Sequence, residues 1–417
     1  MDYEVFFVKK LKKKRKRGGS VKFPLITENL LQLCRDINDE VKMSNLNEAH
    51  ALEVLSETSS LMRSICSQVN YRVICAPSEE LKVKQKRVQL TLETISIHSA
   101  AFGFVKNRGA IDCAKSHLIY WGKDNHSLMI LNADISNFFH SVSRDLVTST
   151  LRRETKEGTD VEEMVNTCMA IYSKELCLHV VDRFFAFLMS NWFAAQDANL
   201  DRLRNGTIQL FNFMQSSDDS LEGDSLQRRF CVTIFKEILG ITLNSDTNEC
   251  WFLPQGSPAS PVITNLICKN IDKRLKALSE SYGAHYTRYA DDLTFSWVCP
   301  VSPLVVDEVK RCSNLIISEI GMSYNKDKII KSGPGYKQEI VGFTVKEGEV
   351  SVSKRLRRKT RTLLASEFEN VSSTHTRVID KLTGLAGYIG ICHRNEKEWL
   401  MDSIHRLSSK CARKIRD

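Results

Sequence analysis

The 417-residue chain has no Cys-x-x-Cys pair and no Cys/His cluster at zinc-ligand spacing, although thirteen cysteines are scattered along it. A structural zinc site is thereby excluded. The cysteine count is odd and no secretory signal is visible, so reduced thiols and a cytoplasmic setting are expected. Long hydrophobic runs are missing too. The most apolar stretch, Phe184 to Ala195, is interrupted by Ser190 and Asn191 and preceded by Asp182 and Arg183, which makes it too short and too polar to span a bilayer. No internal repeat is present. With 42% hydrophobic and 26% charged residues the composition is that of a globular protein, and the length predicts two or three subdomains.

Charge is unevenly placed. The formal net charge is +9, yet residues 9–17 carry eight positive charges and Lys354 to Arg361 six more with no acid among them, which leaves the remainder at −5. A mildly acidic body with two basic patches suits a protein that binds a polyanion at defined places. The first patch runs into Gly18-Gly19-Ser20, and residues 1–20 read as a basic flexible tail.

Apolar spacing predicts helices from Phe23 to about Gln68. Tyr71 to Pro77 changes to strand period, and Ser78 opens a helix with Glu79 and Glu80 in its first turn. Further along, Met129 to Leu131 is a buried β-run that ends in Asp134 and is followed by Phe138 and Phe139. A carboxylate there fits either a metal ligand at a strand end or a helix N-cap. Between 146 and 250 the text is largely helical, with a stripe from Leu226 to Leu239 and a polar loop carrying Asp218 and Asp219. Trp251 to Pro261 is a rigid proline-rich turn leading into a helix over Val262 to Leu278.

The most informative stretch is Tyr286 to Trp297. Thr287, Tyr289, Leu293, Thr294, Phe295 and Trp297 are β-formers flanking a tight Ala-Asp-Asp connection, which reads as a hairpin with Asp291 and Asp292 at its tip. Adjacent ionised carboxylates repel one another, and a divalent cation is the usual reason to keep them together. After a helix over Val305 to Ile320, Gln338 to Val345 with Val350 to Val352 reads as a second hairpin, and Lys354 to Asp417 as basic helix broken near Gly384, Gly387 and Gly390.

Taken in order, Asp134, Leu253-Pro-Gln-Gly-Ser-Pro258 and Tyr289-Ala-Asp-Asp292 resemble the successive palm motifs of a reverse transcriptase, and Ala101 to Arg108 resembles its fingers motif. Tyr-Ala-Asp-Asp-Leu-Thr-Phe-Ser is similar to bacterial retron enzymes in particular. Two motifs depart from the retron pattern: Cys113-Ala-Lys-Ser-His117 stands for Asn-Ala-x-x-His, and Ile340-Val-Gly342 for Val-Thr-Gly. The resemblance implies an α+β right-hand polymerase fold: N-terminal helices and fingers over 21–133, a palm over 134–350 whose antiparallel sheet carries the hairpin, and a helical thumb over 351–417.

The same resemblance implies chemistry and partners. Asp134, Asp291 and Asp292 would be catalytic and would hold two Mg²⁺ ions. Phe139 would be the steric gate that favours dNTPs over rNTPs; Gln255, Gly256, Arg72, Lys82 and Lys328 are candidates for nucleotide contact. Lys106, Arg108, His117, Lys354, Arg355, Arg357, Arg358, Lys359 and Arg361 are candidates for nucleic-acid contact. The implied partners are a structured non-coding RNA, its DNA product, dNTPs and an effector protein encoded nearby, in a bacterial cytoplasm and in anti-phage defence. A defence-associated enzyme making untemplated or protein-primed DNA and a non-catalytic RNA-binding relative are the alternatives.

Overall fold

The computed structural model describes residues 2–9, 59, 60, 62, 63, 66, 71–121, 127–171, 174–191, 237, 238, 251–346, 348–369 and 376–414. Most of the helical reading over 23–68, the Leu226–Leu239 stripe, the Asp218/Asp219 loop and the basic run after Lys9 lie outside them. The chain divides into two compact units, each discontinuous: 1–96 with 136–268 and 320–322, and 97–135 with 269–319 and 323–417. These do not follow the linear division into tail, fingers, palm and thumb, and the expected boundary at 133/134 cuts through a strand.

The first unit is built around a two-stranded ribbon. β1 (Tyr3–Lys9) pairs antiparallel with β2 (Tyr71–Pro77), Tyr3 opposite Pro77 and Lys9 opposite Tyr71. This corrects the reading of residues 1–20 as a tail: Tyr3, Val5 and Phe7 alternate with Glu4, Phe6 and Val8, and the first set turns inward. Phe7 packs against Tyr71, Phe184 and Phe187 at centroid distances of 5.4–5.7 Å. The hydroxyl of buried Tyr3 accepts from Gln85 Nε2 at 2.9 Å. Gln85 lies on α1 (Glu79–Leu92), capped by Ser78 as expected. Then come α2 (Ala110–Trp121) and β3 (Leu128–Asp134) of the second unit. The first unit continues with α3 (Arg144–Glu154), α4 (Val161–Cys168), β4 (Ala170–Ile171), α5 (Lys174–Asn191) and β5 (Trp251–Phe252), the last pairing with β4. Among the described helices none is long and apolar enough to cross a membrane.

The second unit holds the main sheet. α6 (Ser260–Ser281) leads to β6 (His285–Tyr289) and β7 (Asp292–Val298), followed by α7 (Pro303–Ser318), a 3-10 turn over Lys326–Lys328 and β8 (Ile330–Ser332). The strand order is β6-β7-β3-β8, all neighbours antiparallel. One face presents Tyr286, Phe295 and Leu131, then Arg288, Leu293 and Ala133. The other presents Thr287, Thr294 and Asn132, then Tyr289, Asp292 and Asp134.

A three-stranded meander covers part of that second face. The expected second hairpin is three strands: β9 (Gln338–Ile340), β10 (Phe343–Lys346) and β11 (Glu349–Ser351). The run from Gln338 to Val345 folds back on itself because Val341 and Gly342 both take left-handed φ, +47° and +82°. Asn132 Nδ2 donates to Glu339 O at 2.8 Å and fixes the meander to β3. α8 (Lys354–Glu369), α9 (Thr376–Gly390) and α10 (Arg394–Lys414) then close one apolar core with β3, β9 and β10 through Leu364, Leu382, Ala386, Ile389, Leu400, Ile404 and Leu407. α9 passes through Gly384 and Gly387 without a break and ends at Gly390, since buried Leu382, Ala386 and Ile389 supply a helical stripe that outweighs the glycines.

The observed class is α+β, with an antiparallel sheet carrying the Asp-Asp hairpin, as the sequence leads one to expect.

Candidate active site

Three backbone features place the aspartates. β6 and β7 are joined by the two-residue turn Ala290-Asp291, with Tyr289 opposite Asp292. Asp292 is the first residue of β7 and stands opposite Asp134, the last of β3. Ile135 N–H donates to Asp291 O at 2.9 Å, the bond that brackets this pair. Asp134 and Asp292 are therefore a non-hydrogen-bonded pair, the kind whose Cα atoms approach to about 4.5 Å with side chains on one face. The helix-cap reading of Asp134 is excluded, because the next helix, α3, is capped by Ser143.

Two carboxylates directly opposite one another destabilise a ladder unless a cation answers them. Here Lys328 does so: its Nζ donates to Oδ1 and Oδ2 of Asp134 at 2.7 and 2.6 Å. The lysine is placed by Asn325 N–H donating to Asp134 O at 2.8 Å and by the bridge between Ile135 and Tyr324. Asp134 is buried whereas Asp292 is exposed. Among the described residues no group of three or more His, Cys, Asp or Glu side chains is gathered as a metal site. What is assembled is a facing pair, Asp134 and Asp292, with Asp291 beside it in the turn. Its donors are hard oxygens, which fit a magnesium-like cation, and such an ion competes with Lys328 for Asp134.

The turn itself is strained. Ala290 adopts φ +56°, a region that costs a residue with a Cβ roughly 1–2 kcal/mol. Arg288 holds it there. The guanidinium is fully buried and donates through Nε and Nη2 to the two oxygens of buried Asp272 at 2.9 and 2.8 Å, and through Nη1 to Ala290 O at 3.2 Å. Tyr286 Oη also donates to Asp272 at 2.9 Å. On the other side Gly103 lies flat against the turn, and a Cβ there would fall within van der Waals contact of Ala290 N and 2.9 Å from Tyr289 C. The 100–102 segment is stitched to β6 by Arg288 N–H to Ala100 O and Phe102 N–H to Arg288 O, both 2.8 Å. Neither Arg288 nor Asp272 was a candidate from sequence. The available signal was an arginine among the β-formers of the strand that leads into the Asp-Asp turn, which needs a partner if that strand is buried.

His117 is a correction. It was a candidate for nucleic-acid contact, but it is fully buried, with Nδ1 2.7 Å from Ser296 Oγ and Nε2 2.8 Å from Thr287 Oγ1. Burial, and next the neighbouring His285, push its pKa well below the ordinary histidine value, so it is a neutral strut between α2 and the hairpin strands. Arg108 is likewise engaged inside its loop: Nη1 donates to the carbonyls of His98, Ser99 and Ala101 at 3.3, 3.3 and 2.8 Å. Lys106 is exposed. On α8, Lys354, Arg355, Arg358, Lys359 and Arg361 are exposed, while Arg357 is half-buried and paired with Glu396, which also meets Arg361 at 3.2 Å.

The remaining candidates lie in the first unit. Phe138 is buried and Phe139 half-buried. Gln255 O accepts from Cys75 N–H at 2.8 Å, and Gly256 (φ +132°) sits where a Cβ would be 2.5 Å from Cys75 O, so the Gln-Gly turn is docked on the edge of β2 by backbone alone. Arg72 is exposed on β2, and Lys82 is paired with Glu79 at 2.9 Å.

No family model matches the chain. It is 26% identical over 332 residues to the retron Mx162 reverse transcriptase of Myxococcus xanthus, covering 76% of this chain and 54% of that protein. With the retron Ec86 reverse transcriptase of Escherichia coli the identity is 31% over 151 residues, 32% of this chain and 46% of the relative. With the retron Ec83 enzyme of the same organism it is 22% over 324 residues, 77% and 78% of the two chains. The chain spans about half the length of the first two of these relatives. Among solved structures, telomerase from Candida tropicalis in complex with a telomeric RNA fragment gives a TM-score of 0.36 at 12% identity, over 82% of this chain and 53% of that one. Along about three quarters of its length, then, the chain is similar to bacterial retron reverse transcriptases.

Proposed function

We propose that the protein is an RNA-directed DNA polymerase of retron type, which copies a structured non-coding RNA into single-stranded DNA. The observation that carries this is the register of β3 against β7, which sets Asp134 opposite Asp292 at the mouth of the Ala290-Asp291 turn. Two Mg²⁺ held by Asp134, Asp291 and Asp292 would supply activation of a primer 3′-hydroxyl and charge neutralisation on the triphosphate and leaving pyrophosphate. Every other role falls to the chain. Arg288 and Gly103 keep the turn in the conformation that presents both carboxylates. Lys328 neutralises Asp134 at rest and is released to the departing phosphate when Asp134 takes another partner. Phe139 limits the space beside a ribose 2′-carbon, Gln255 and Gly256 line the incoming nucleotide, and Arg72 and Lys82 meet its phosphates. The exposed cations of α8 grip the nucleic-acid backbone, and Lys106 adds to them.

The retron assignment rests on similarity to retron enzymes over most of the chain, and it brings with it the cognate RNA, dNTPs and a neighbouring effector protein as partners, with anti-phage defence as the setting. The test is twofold. Purified protein should incorporate dNTPs on an RNA template only when Mg²⁺ is present, and Asp292→Asn should lower that rate by at least about three orders of magnitude. Nucleic acid recovered with the protein from its native host should be a covalent RNA–DNA hybrid. Mg²⁺-independent incorporation, or near-normal synthesis by Asp292→Asn, would sink the polymerase reading; DNA attached to a protein side chain would sink the retron reading alone.

A further inference from the structure

Directly beneath the aspartates lies a polar layer in place of an apolar one. One pair inward from Tyr289, Asp292 and Asp134, and on the same face of the sheet, the register lines up Thr287, Thr294 and Asn132. Thr287 and Thr294 are buried, and Asn132 stands in the otherwise apolar run 128–133. Polar groups persist in such a layer when they are hydrogen-bonded, and each of these has its own partner. Thr287 Oγ1 is taken by His117 Nε2 at 2.8 Å. Thr294 Oγ1 donates to Asn132 Oδ1 at 2.9 Å, and Asn132 Nδ2 donates to Glu339 O at 2.8 Å. The Glu339 carbonyl therefore fixes which end of the amide faces Thr294. The meander has a second tie to β3, since Gln338 Nε2 donates to Leu128 O. What Asn132 adds to that tie is a side-chain bridge from β3 to β7, one pair away from the aspartates.

The bridge lies where the two strands have most reason to part. Asp134 and Asp292 face each other at the end of β3 as a non-hydrogen-bonded pair, and their charges repel. Lys328 answers Asp134 while its ammonium is in place. A cation that takes Asp134 from the lysine must find the second carboxylate at a fixed separation, and that separation is set by the strands. We propose that Asn132, acting through Thr294, is a positioning residue for the divalent-cation site: its amide locks β3 to β7 one pair from Asp134 and Asp292 and so sets the gap that the cation bridges. The proposal rests on the polymerase reading for the presence of the cation, and adds to it two residues that act through the aspartates. Packing alone is a poorer account of this pair. Valine at 294 and leucine at 132 would fill similar volumes and would leave no polar atom to satisfy.

The experiment uses the full chain with Mn²⁺ as the probe and no nucleotide or nucleic acid, so that its outcome is independent of catalysis. Free Mn²⁺ is measured by electron paramagnetic resonance. Amide exchange at Ala133 and Leu293, the ladder pair between the bridge and the aspartates, is followed without metal. Thr294→Val removes the hydroxyl at nearly constant shape, and Asn132→Leu removes the amide. Both should weaken Mn²⁺ binding about 10–100-fold, the range for loss of a metal ligand's outer support, and should speed exchange at Ala133 and Leu293 in chains that remain folded. Thr294→Ser keeps the hydroxyl and should restore wild-type Mn²⁺ affinity. Wild-type affinity in Thr294→Val would overturn the proposal. So would an equal loss in Thr294→Ser, which would assign the effect to packing. Asp292→Asn separates this proposal from the reading beneath it. If that variant binds Mn²⁺ as wild type does, the cation reading falls and the proposal with it; if it loses Mn²⁺ while Thr294→Val does not, the proposal falls alone.

Discussion

Two of the hairpin turns in the second unit share the same length and the same irregularity, and they are supported in opposite ways. Ala290-Asp291 and Val341-Gly342 each place a residue with a Cβ in left-handed backbone, at φ +56° and +47°. At Ala290 the conformation is over-determined from outside: a buried arginine holds the turn carbonyl and a glycine lies against its nitrogen. At Val341 the second turn residue is Gly342, whose nearest neighbour for an added Cβ is Tyr388 Oη at 3.8 Å. One turn is held by tertiary structure and bears carboxylates; the other is held by its own glycine and bears none. Both turns keep a residue with a Cβ in left-handed backbone, but only the turn that carries the two aspartates is fixed from outside.

The sharpest way to break this contrast is Arg288→Ala. It leaves Asp272 charged and unpaired in the core, so equilibrium unfolding should show a loss of about 3–5 kcal/mol, and dNTP incorporation should fall with it even at temperatures where the variant is folded. Gly103→Ala comes next. Its methyl group meets backbone, not a movable side chain, and should cost about 1–3 kcal/mol in melting experiments while reducing incorporation more than stability alone explains. The smallest effect has the opposite sign. Val341→Asn creates an Asn-Gly turn suited to two left-handed residues and should stabilise the protein by about 0.5–1 kcal/mol with activity unchanged. A destabilised Val341→Asn protein would mean that Val341 contributes more through its packing beside β10 than it loses in strain.

Much of the fold was legible because local punctuation and period agreed. β2, the Ser78 cap, β3 ending at Asp134 and the Asp-Asp hairpin all fall where alternation and turn residues put them. What escaped depends on contacts distant in sequence. The Arg288–Asp272 pair joins a strand to a helix, and neither residue's neighbours announce it. His117 looked available because a histidine on a helix is ambiguous until the opposite surface is known; Thr287 and Ser296, 170 and 179 residues away, decide it. β1 was hidden by the charge run that follows it, although the alternation of Tyr3, Val5 and Phe7 was there to be read. Gly384 and Gly387 read as breaks because the cost of about 1 kcal/mol for each glycine is visible in sequence and the burial that offsets it is not.

The strand order has a consequence for how the chain acquires its site. β3 is synthesised long before its neighbours, yet it ends up in the middle of the sheet, between β7 and β8. Asp134 cannot face Asp292 until some 158 further residues have been made, and Lys328 arrives later still. During translation β3 is an apolar strand, Leu128-Met-Ile-Leu-Asn-Ala-Asp134, with two open edges and no partner for either. Such long-range pairing folds slowly and is exposed to aggregation while it waits. The facing aspartate pair is thus a late product of folding, absent from any nascent or truncated chain that stops short of β7.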